Sequence, residues 1–400
     1  MRIEMKKIGT FIPALVCAAC LSSSGDDGNT KGEKSPRRYL DSLNIPGEIP
    51  GLQYTAVNER GVIFEYARGY RELGKKIPVR ANTAFMLNSS TKVFTAAAIL
   101  QLSEKGKIDL DRALSLYYPD HPYGPGVTIR HLLNQTSGIP NPMPIHWLHF
   151  PTDRGKFVEN NALRKVLGEN PKLSFAPGEK YAYSNISYWL LGKVIERVSG
   201  LSYCEYLRRH VFAPLDIGPG ELSCTMPGKE RLALGYQKKY TLLSLFLHLF
   251  GASKYFRGTE EGYLRFRKVY HNGPAYGGLY GTGRGVALFL GDMLREKPRL
   301  FSSRTRDLFF STQKNNKGEV LSMTPGFRRG RCGGIPYYGK PGGGPGFHGN
   351  IRIYPSRKIA TVLLVNKTVL REKPINDFSD RLDRRLLDKR LPEEKKATPR

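Results

Sequence analysis

The sequence predicts a mixed α/β fold, with strands near both ends of the chain and helices between them. Two β-type runs, residues 52–57 and 62–68, flank a short turn and predict a hairpin. Near the other end, an alternating strand at 350–354 precedes a strongly apolar strand at 359–365. Apolar residues from Val93 onward instead recur at helical spacing, so the chain is expected to contain both element types.

Helical patterns fill much of the chain between these strands and close it after them. Each predicted helix pairs an apolar stripe with capping or breaking residues at its ends. No internal repeat interrupts this order, which favours one continuous domain. The predicted helices cover residues 38–43, 89–106, 127–134, 187–198, 285–294 and 376–390.

The composition fits a globular protein with a strong positive charge. The chain has 400 residues, 40% of them hydrophobic, which is enough for one or two domains. It carries 63 Lys and Arg against 35 Asp and Glu, a net charge of +28, which suggests an anionic environment. The basic residues are spread out and match no nucleic-acid-binding signature, so no nucleic acid partner is expected. Since no Cys/His cluster has metal-site spacing, we expect neither a metal nor a cofactor.

Residues 1–20 have the pattern of a signal peptide that ends in a lipoprotein-type cysteine. Two lysines precede the apolar run 8–16, which is too short to span a bilayer. The small residues before Cys20 resemble a bacterial lipoprotein cleavage site, where the cysteine becomes the lipidated first residue. Cys17 departs from that pattern, which usually has Leu there. Plain secretion and an uncleaved anchor remain the alternatives.

The predicted domain organisation follows from this N-terminus. Residues 21–36 are small and polar and suit a flexible tether, residues 37–390 form the folded domain, and residues 391–400 form a charged tail. We therefore expect an exported protein, held at the membrane of a bacterial cell envelope by a lipid anchor. Three cysteines of the folded domain cannot all pair with one another, and the pairing stays open: Cys204, Cys224 and Cys332.

A serine and a lysine three residues apart, Ser89 and Lys92, stand at the predicted start of a helix. Asn88, Ser89 and Ser90 are good N-cap types, and a lysine at i+3 lies within reach of the serine hydroxyl. Serine is a weak nucleophile until a neighbouring base takes its proton. The same spacing occurs at Ser311, so the pattern alone equally suits a helix cap beside a solvated lysine.

Further motifs follow Ser89 in a definite order and together resemble the serine β-lactamase and penicillin-binding-protein superfamily, nearest its class C β-lactamase-like serine hydrolases. The resemblance covers residues 38–368. It implies an antiparallel sheet flanked by helices and built from both chain ends, with a mostly helical subdomain inserted at roughly 105–285 and a cleft between them. The motifs are Ser89 to Lys92, Thr128 to Leu133 with Thr136 to Gly138, Tyr183 to Asn185, Gly277 to Leu279, and Lys340 to Gly342.

The resemblance also assigns catalytic roles. Ser89 would attack a carbonyl carbon, Lys92 would take its proton, and Tyr183 would pass a proton to the leaving group. Lys340 would be a nearby second cation that favours loss of a proton from Lys92.

The substrate-binding residues implied by the same motifs are Asn185, Lys340, Gly342 and Gly343. Asn185 can donate to a substrate carbonyl and accept from Lys92. The oxyanion would be held by the backbone N–H groups of Ser89 and Gly343.

Pro341 departs from the motif, which has a threonine hydroxyl there for a substrate carboxylate. Proline has neither a hydroxyl nor an N–H, and it favours a strand edge. We therefore expect a serine hydrolase for esters or amides of moderate size. A D,D-carboxypeptidase or β-lactamase, acting on peptidoglycan peptides or β-lactams, is the alternative, and a catalytically silent surface lipoprotein is a third.

Residues 240–250 form an unusually apolar stretch with basic residues on both sides. On a helix, Thr241, Ser244 and His248 would form one narrow polar stripe. The simplest interpretation is a core helix of the inserted subdomain. A helix that lies on a membrane surface or covers an acyl group is the other.

Overall fold

Strands from both ends of the chain meet in the largest sheet of the molecule. The computed structural model describes residues 35–45, 47–153, 155–369 and 372–387. Its strands, in chain order, are β1 Gly51–Asn58, β2 Gly61–Glu72, β3 Ile77–Pro78, β4 Phe85–Met86, β5 Leu148–His149, β6 Leu222–Ser223, β7 Tyr236–Lys238, β8 Phe256–Glu260, β9 Tyr263–Phe266, β10 Tyr270–His271, β11 Tyr280–Gly281, β12 Arg328–Cys332, β13 Ile335–Gly344, β14 Phe347–Tyr354 and β15 Ile359–Val365.

Seven of these strands pair in the order β12-β13-β14-β15-β1-β2-β3. The two chain ends join where β1 pairs antiparallel with β15, with Tyr54 opposite Leu363. The predicted hairpin is β1–β2, and Asn58 closes its turn by accepting from the backbone N–H groups of Arg60 and Gly61. The expected fold class, an antiparallel sheet with helices built from both ends of the chain, is confirmed.

The described residues form twelve α-helices, and each of the six predicted helices has a counterpart among them. They are α1 Pro36–Ser42, α2 Lys92–Glu104, α3 Leu114–Tyr117, α4 Ile129–Leu133, α5 Glu159–Glu169, α6 Asn185–Ser199, α7 Tyr203–Leu207, α8 Leu242–Leu249, α9 Pro274–Gly277, α10 Gly283–Asp292, α11 Ser303–Phe310 and α12 Glu372–Leu387. Helix α10 packs on β1 and β15, and α12 packs on β12 and β14. All residues of β15 are buried, which explains its continuous apolar sequence.

A buried ion pair fastens the closing helix α12 to the sheet. Arg352 on β14 is 1% exposed, and its guanidinium lies 3.0 Å from the fully buried carboxylate of Asp383. Tyr54 and Tyr354 donate hydrogen bonds to the same carboxylate at 2.7 and 2.6 Å. These partners satisfy a charge that would otherwise be costly inside the protein.

The segment between the sheet-forming ends contains helices together with short strands. Strand β9 pairs with β7 and β8 in a small sheet, and β5 pairs with β10. Cys204 and Cys224 form a disulfide bond in this segment, and Cys332 remains a buried free thiol. The cysteine pairing that the sequence left open therefore has one answer among the described residues.

The predicted core position of the apolar stretch 240–250 is wrong. Helix α8 forms there, but Leu242 and Leu249 are 71% and 74% exposed. The polar residues expected to form a stripe act mainly as caps, because Thr241 and Ser244 bond each other's backbone N–H groups. Of these, Ser244 is buried, whereas His248 is exposed.

Several expectations for the chain ends fall outside the described residues. They are the signal peptide, lipidation at Cys20, the tether up to residue 34 and the charged tail. The last tether position, residue 36, already begins α1. Among the described helices, none combines the length and apolar character needed to cross a bilayer.

Candidate active site

The turn that carries Ser89 is a short 3-10 helix, Asn88–Thr91, which runs directly into α2. No side chain caps this start, so the expected capping role of its residues is wrong. Their side chains bond to other parts of the fold instead. Ser90 Oγ donates to the carbonyl oxygen of Lys340 at 3.1 Å, and Thr91 Oγ1 accepts from the backbone of Leu279 at 3.2 Å. The turn is thus fixed from two sides.

Lys92 lies beside Ser89 and is completely buried. Its Nζ donates to Asn185 Oδ1 at 2.7 Å and to the carbonyl oxygen of Tyr276 at 2.6 Å, and lies 3.3 Å from Ser89 Oγ. Burial, and next the positive charge of Lys340, hold the pKa of Lys92 well below its usual range. Both effects favour the neutral amine that a base requires.

Tyr183 and Asn185 reach the same point from the start of α6. Tyr183 OH lies 2.6 Å from Ser89 Oγ, and its ring lies between two lysines, with Lys92 Nζ 5.0 Å and Lys340 Nζ 4.7 Å from its centroid. Asn185 begins α6, one residue after Ser184, whose side chain accepts from the backbone of Ser187 as the cap. The predicted Tyr-x-Asn pair therefore does converge on Ser89.

Two residues that sequence reasoning did not single out, Gln135 and Asn141, hold this pair in place. Gln135 adopts a positive φ of 61° and bonds both backbone groups of Ser184 through its side chain. Asn141 Oδ1 accepts from the backbone N–H of Asn185 at 3.0 Å. Gln135 directly precedes the predicted motif at 136–138. The motif therefore indicated this loop, but not that a side chain from it holds the backbone of Ser184.

Strand β13 brings Lys340, Gly342 and Gly343 to the opposite side of Ser89. A β-carbon on Gly342 would lie 2.3 Å from the carbonyl oxygen of Leu87 and 2.7 Å from Ser90 N. Gly342 therefore lets the strand approach the turn that carries Ser89. Gly343 is paired with His348 of β14 in the sheet.

Pro341 lies where β13 extends past its outer neighbour. Strand β12 pairs with residues 335–339 of β13, and β14 pairs with residues 338–344. The expected edge position is thus confirmed for Pro341 itself, although the first half of β13 lies inside the sheet. A proline is tolerated there because β12 does not reach it.

The second Ser-x-x-Lys match does not assemble a comparable site. Ser311 ends α11, and its Oγ donates to the carbonyl oxygen of Leu308 at 2.8 Å. Lys314 instead forms a β-bridge with Val320. Extended backbone after Ser311 removes the helical turn that would bring the lysine back to the hydroxyl.

A histidine next to the nucleophile turn escaped sequence reasoning. His271 Nε2 lies 3.0 Å from the side-chain oxygen of Asn88, the residue before Ser89. Burial, with a smaller contribution from the charge of Lys92, lowers the pKa of His271 to about 3, so the ring is neutral. No local pattern marks this contact, because 183 positions separate the two residues.

Residues 37–384 match the protein-family model described as Beta-lactamase. The chain is 36% identical over 212 residues to Penicillin-binding protein 4* of Bacillus subtilis (strain 168), across 51% of this chain and 46% of the relative. It is 32% identical over 196 residues to Protein flp of Staphylococcus aureus (strain MW2), across 48% of this chain and 38% of that relative. The chain thus spans less than half the length of these curated relatives.

Solved structures share the fold at lower identity. D-amino acid amidase from Ochrobactrum anthropi SV3 superposes with a TM-score of 0.72 at 20% identity, covering 86% of this chain and 95% of that one. The octameric penicillin-binding protein homologue from Pyrococcus abyssi superposes with a TM-score of 0.66 at 23% identity, covering 83% of this chain and 72% of that one. FmtA from Staphylococcus aureus superposes with a TM-score of 0.66 at 20% identity, covering 89% of this chain and 88% of that one.

Proposed function

The chain belongs to the beta-lactamase family, and on that premise we propose that it is a serine hydrolase that acts through a covalent acyl-enzyme. This proposal rests on the groups that surround the hydroxyl of Ser89. Ser89 Oγ lies 2.6 Å from Tyr183 OH and 3.3 Å from the buried Lys92 Nζ. A hydroxyl between two groups that can move protons has the arrangement of an activated nucleophile.

The partners of Lys92 support a role as the base. A neutral amine has two N–H groups and one lone pair. Asn185 Oδ1 and the carbonyl oxygen of Tyr276 lie at 2.7 and 2.6 Å and can accept those two N–H groups. The lone pair is then available to the third neighbour, Ser89 Oγ. The lowered pKa of Lys92 supports the same state.

The reaction then follows from the arrangement. Ser89 Oγ attacks the substrate carbonyl carbon while its proton passes to Lys92, and the backbone N–H groups of Ser89 and Gly343 stabilise the oxyanion. Collapse of the tetrahedral intermediate breaks the bond to the leaving group, which takes a proton through Tyr183. A water molecule hydrolyses the resulting ester of Ser89 and restores the enzyme.

Esters or amides of moderate size are the proposed substrates. Pro341 supplies neither a hydroxyl nor an N–H at the position where β13 borders the site. A free substrate carboxylate would therefore lose one donor, although Lys340 still offers a cation. The fold neighbour named as a D-amino acid amidase is compatible with an amide substrate.

A D,D-carboxypeptidase or β-lactamase is the second candidate, acting on peptidoglycan peptides or β-lactams. Two observations favour it over a catalytically silent lipoprotein. Lys340 Nζ lies beside the Tyr183 ring, where it can attract a carboxylate. The curated relatives include a protein named as a penicillin-binding protein.

Covalent labelling tests the proposed nucleophile. Ser89→Ala should abolish both hydrolysis and labelling by a fluorophosphonate probe, because it removes the attacking oxygen. Ser311→Ala is the matched control, since its serine occurs in the same sequence spacing without the site, and it should label normally. Labelling that survives Ser89→Ala and maps to another residue by mass spectrometry would overturn the proposal.

A substrate panel separates the two enzyme candidates. p-Nitrophenyl esters should be turned over faster than nitrocefin or D-Ala-D-Ala peptides by the native chain. Pro341→Thr should shift the ratio toward substrates with a carboxylate by about tenfold or more, because a hydrogen bond to a charged group contributes about 1.5–3 kcal/mol. Nitrocefin turnover that equals ester turnover in the native chain would promote the second candidate.

We further propose that the protein is exported and anchored in a bacterial envelope through Cys20. The disulfide between Cys204 and Cys224 supports an oxidising compartment. Cys20→Ala should release the chain from the membrane fraction and end incorporation of radiolabelled palmitate. Unchanged palmitate incorporation in the variant would contradict the anchor.

A further inference from the structure

Helix α8 presents a row of large apolar side chains to solvent. Leu242, Leu245 and Leu249 are 71%, 57% and 74% exposed, and their i, i+3, i+7 spacing places them on one helix face. Tyr240 and Phe250, at the two ends, are 84% and 53% exposed. Contiguous apolar surface of this kind marks a site of interaction on a soluble domain.

Polar residues of this helix cap its start, and one of its sides packs against the domain. Thr241 Oγ1 accepts from the backbone of Ser244 at 3.1 Å, and Ser244 Oγ accepts from the backbone of Thr241 at 3.0 Å. Ser244 is buried, and Leu247 on the same side packs against the main core. Rolling the leucines inward would expose Ser244 and withdraw Leu247 from the core, so the exposure of the leucines belongs to the folded state.

Basic residues flank the apolar helix along the chain. Lys238 and Lys254 are exposed on either side of α8. The only acidic residues between positions 238 and 268 are Glu260 and Glu261, and Glu260 is paired with Arg265 at 2.5 Å. The basic residues in the same interval are Lys238, Lys239, Lys254, Arg257, Arg265, Arg267 and Lys268.

We propose that α8 docks on the surface of an anionic phospholipid bilayer, with its leucines among the acyl chains and its flanking lysines at the phosphate groups. An eight-residue helix is about 12 Å long, so it can lie in the interface but cannot span the membrane. An apolar face bordered by basic residues is the pattern of interfacial helices. The excess of basic residues matches the negative surface of such a bilayer.

Docking through α8 would bring the candidate active site near the bilayer. Strand β7 leads into α8, and the backbone N–H of Tyr236 on β7 donates to the carbonyl oxygen of Gly346 at 3.1 Å. Gly346 belongs to the turn that follows β13, the strand of Lys340. The proposal depends neither on acylation of Ser89 nor on lipidation of Cys20, since α8 is a separate surface.

Vesicle sedimentation with the full chain tests the proposal. Every protein carries Cys20→Ala, so that no lipid anchor contributes and the rest of the N-terminus is the same throughout. Leu242→Ser/Leu249→Ser should weaken binding to phosphatidylglycerol–phosphatidylcholine vesicles by about tenfold or more, because it removes two inserting side chains. The matched control is Leu116→Ser/Val320→Ser, at residues 66% and 62% exposed elsewhere, and it should bind like the parent.

Charge variants test the second half of the proposal. Lys238→Gln/Lys254→Gln should also weaken binding by about tenfold or more, and pure phosphatidylcholine vesicles should bind the parent poorly. Equal binding by the leucine variant and its parent would overturn the proposal. So would a leucine variant that binds vesicles normally but has a raised KM for long-chain esters, which would make α8 a cover for an acyl group. Loss of a dimer in light scattering, with vesicle binding intact, would show a second copy of the chain to be the partner instead.

Discussion

Asn88 Oδ1 lies 3.0 Å from His271 Nε2, so the residue before the nucleophile is held by a side chain from a distant part of the chain. Asn88 has a φ of 48°, in the left-handed region that asparagine tolerates better than most residues. It is 1% exposed. Since the Asn88 oxygen can only accept, His271 must donate from Nε2. We infer that this hydrogen bond positions the turn of Ser89.

Replacing His271 should therefore slow acylation without changing its pH dependence. His271→Ala leaves a buried acceptor unsatisfied, at a cost of about 1–3 kcal/mol. We expect fluorophosphonate labelling to slow by about 5- to 100-fold, and His271→Gln, which keeps an N–H donor, to restore part of the rate. The pH profile should not move, because the pKa of His271 is about 3. Loss of the acidic limb of the profile would instead make His271 an acid or a base.

Removing either of the two groups proposed to transfer protons should slow the reaction more than replacing His271 does. Lys92→Ala and Tyr183→Phe are each expected to lower kcat by about 10²- to 10⁴-fold, the usual contribution of a positioned acid or base. Tyr183→Phe keeps the ring that lies between Lys92 and Lys340, so it isolates the hydroxyl. Tyr181→Phe, at a tyrosine 41% exposed, is the control. Near-native turnover in either variant removes that residue from the mechanism.

The pH profile should report the electrostatic effect of Lys340 on Lys92. Only neutral Lys92 can accept the Ser89 proton, so kcat/KM should rise with pH through the pKa of Lys92. The charge of Lys340 helps to lower that pKa, and Lys340→Gln should therefore move the rising limb to higher pH. Lys165→Gln, at a side chain 77% exposed, should leave the midpoint where it is. If the midpoint of the rising limb is unchanged in Lys340→Gln, the charge of Lys340 does not contribute to the pKa of Lys92.

Much of the fold and the core of the site follow from local sequence patterns. The hairpin, strand β15 and the helix after Ser89 are marked by periodicity and turn residues, which depend on near neighbours. The contacts of Tyr276, His271 and Gln135 with the site carry no such mark, since each joins segments far apart in the chain. The disulfide joins cysteines 20 positions apart, and no local pattern marks that pairing either.

Helix α8 shows a different limit. Its apolar sequence predicts burial because hydrophobic residues usually lie inside. Yet apolar side chains only favour an apolar environment, and that environment need not be the core of the same chain. The exposed Leu242 and Leu249 show that the core of the domain does not supply it.

The buried ion pair between Arg352 and Asp383 makes a prediction about stability. Asp383→Ala leaves the buried guanidinium without its most buried partner and should lower the free energy of unfolding by about 3–5 kcal/mol. Asp377→Ala, in an exposed pair with Lys373 on the same helix, should cost less than about 1 kcal/mol. Urea unfolding measures both. Similar costs for the two variants would contradict a special role for Asp383.

The close approach of β13 to the nucleophile turn also limits how this gene can vary. A β-carbon on Gly342 would lie 2.3 Å from Leu87 O, and one on Gly344 would lie 2.3 Å from Asn88 Oδ1. Every single-nucleotide missense change of a glycine codon introduces a β-carbon. A saturation library selected for activity should therefore retain no replacement at these two codons, while Pro341, directly before Gly342, should accept several.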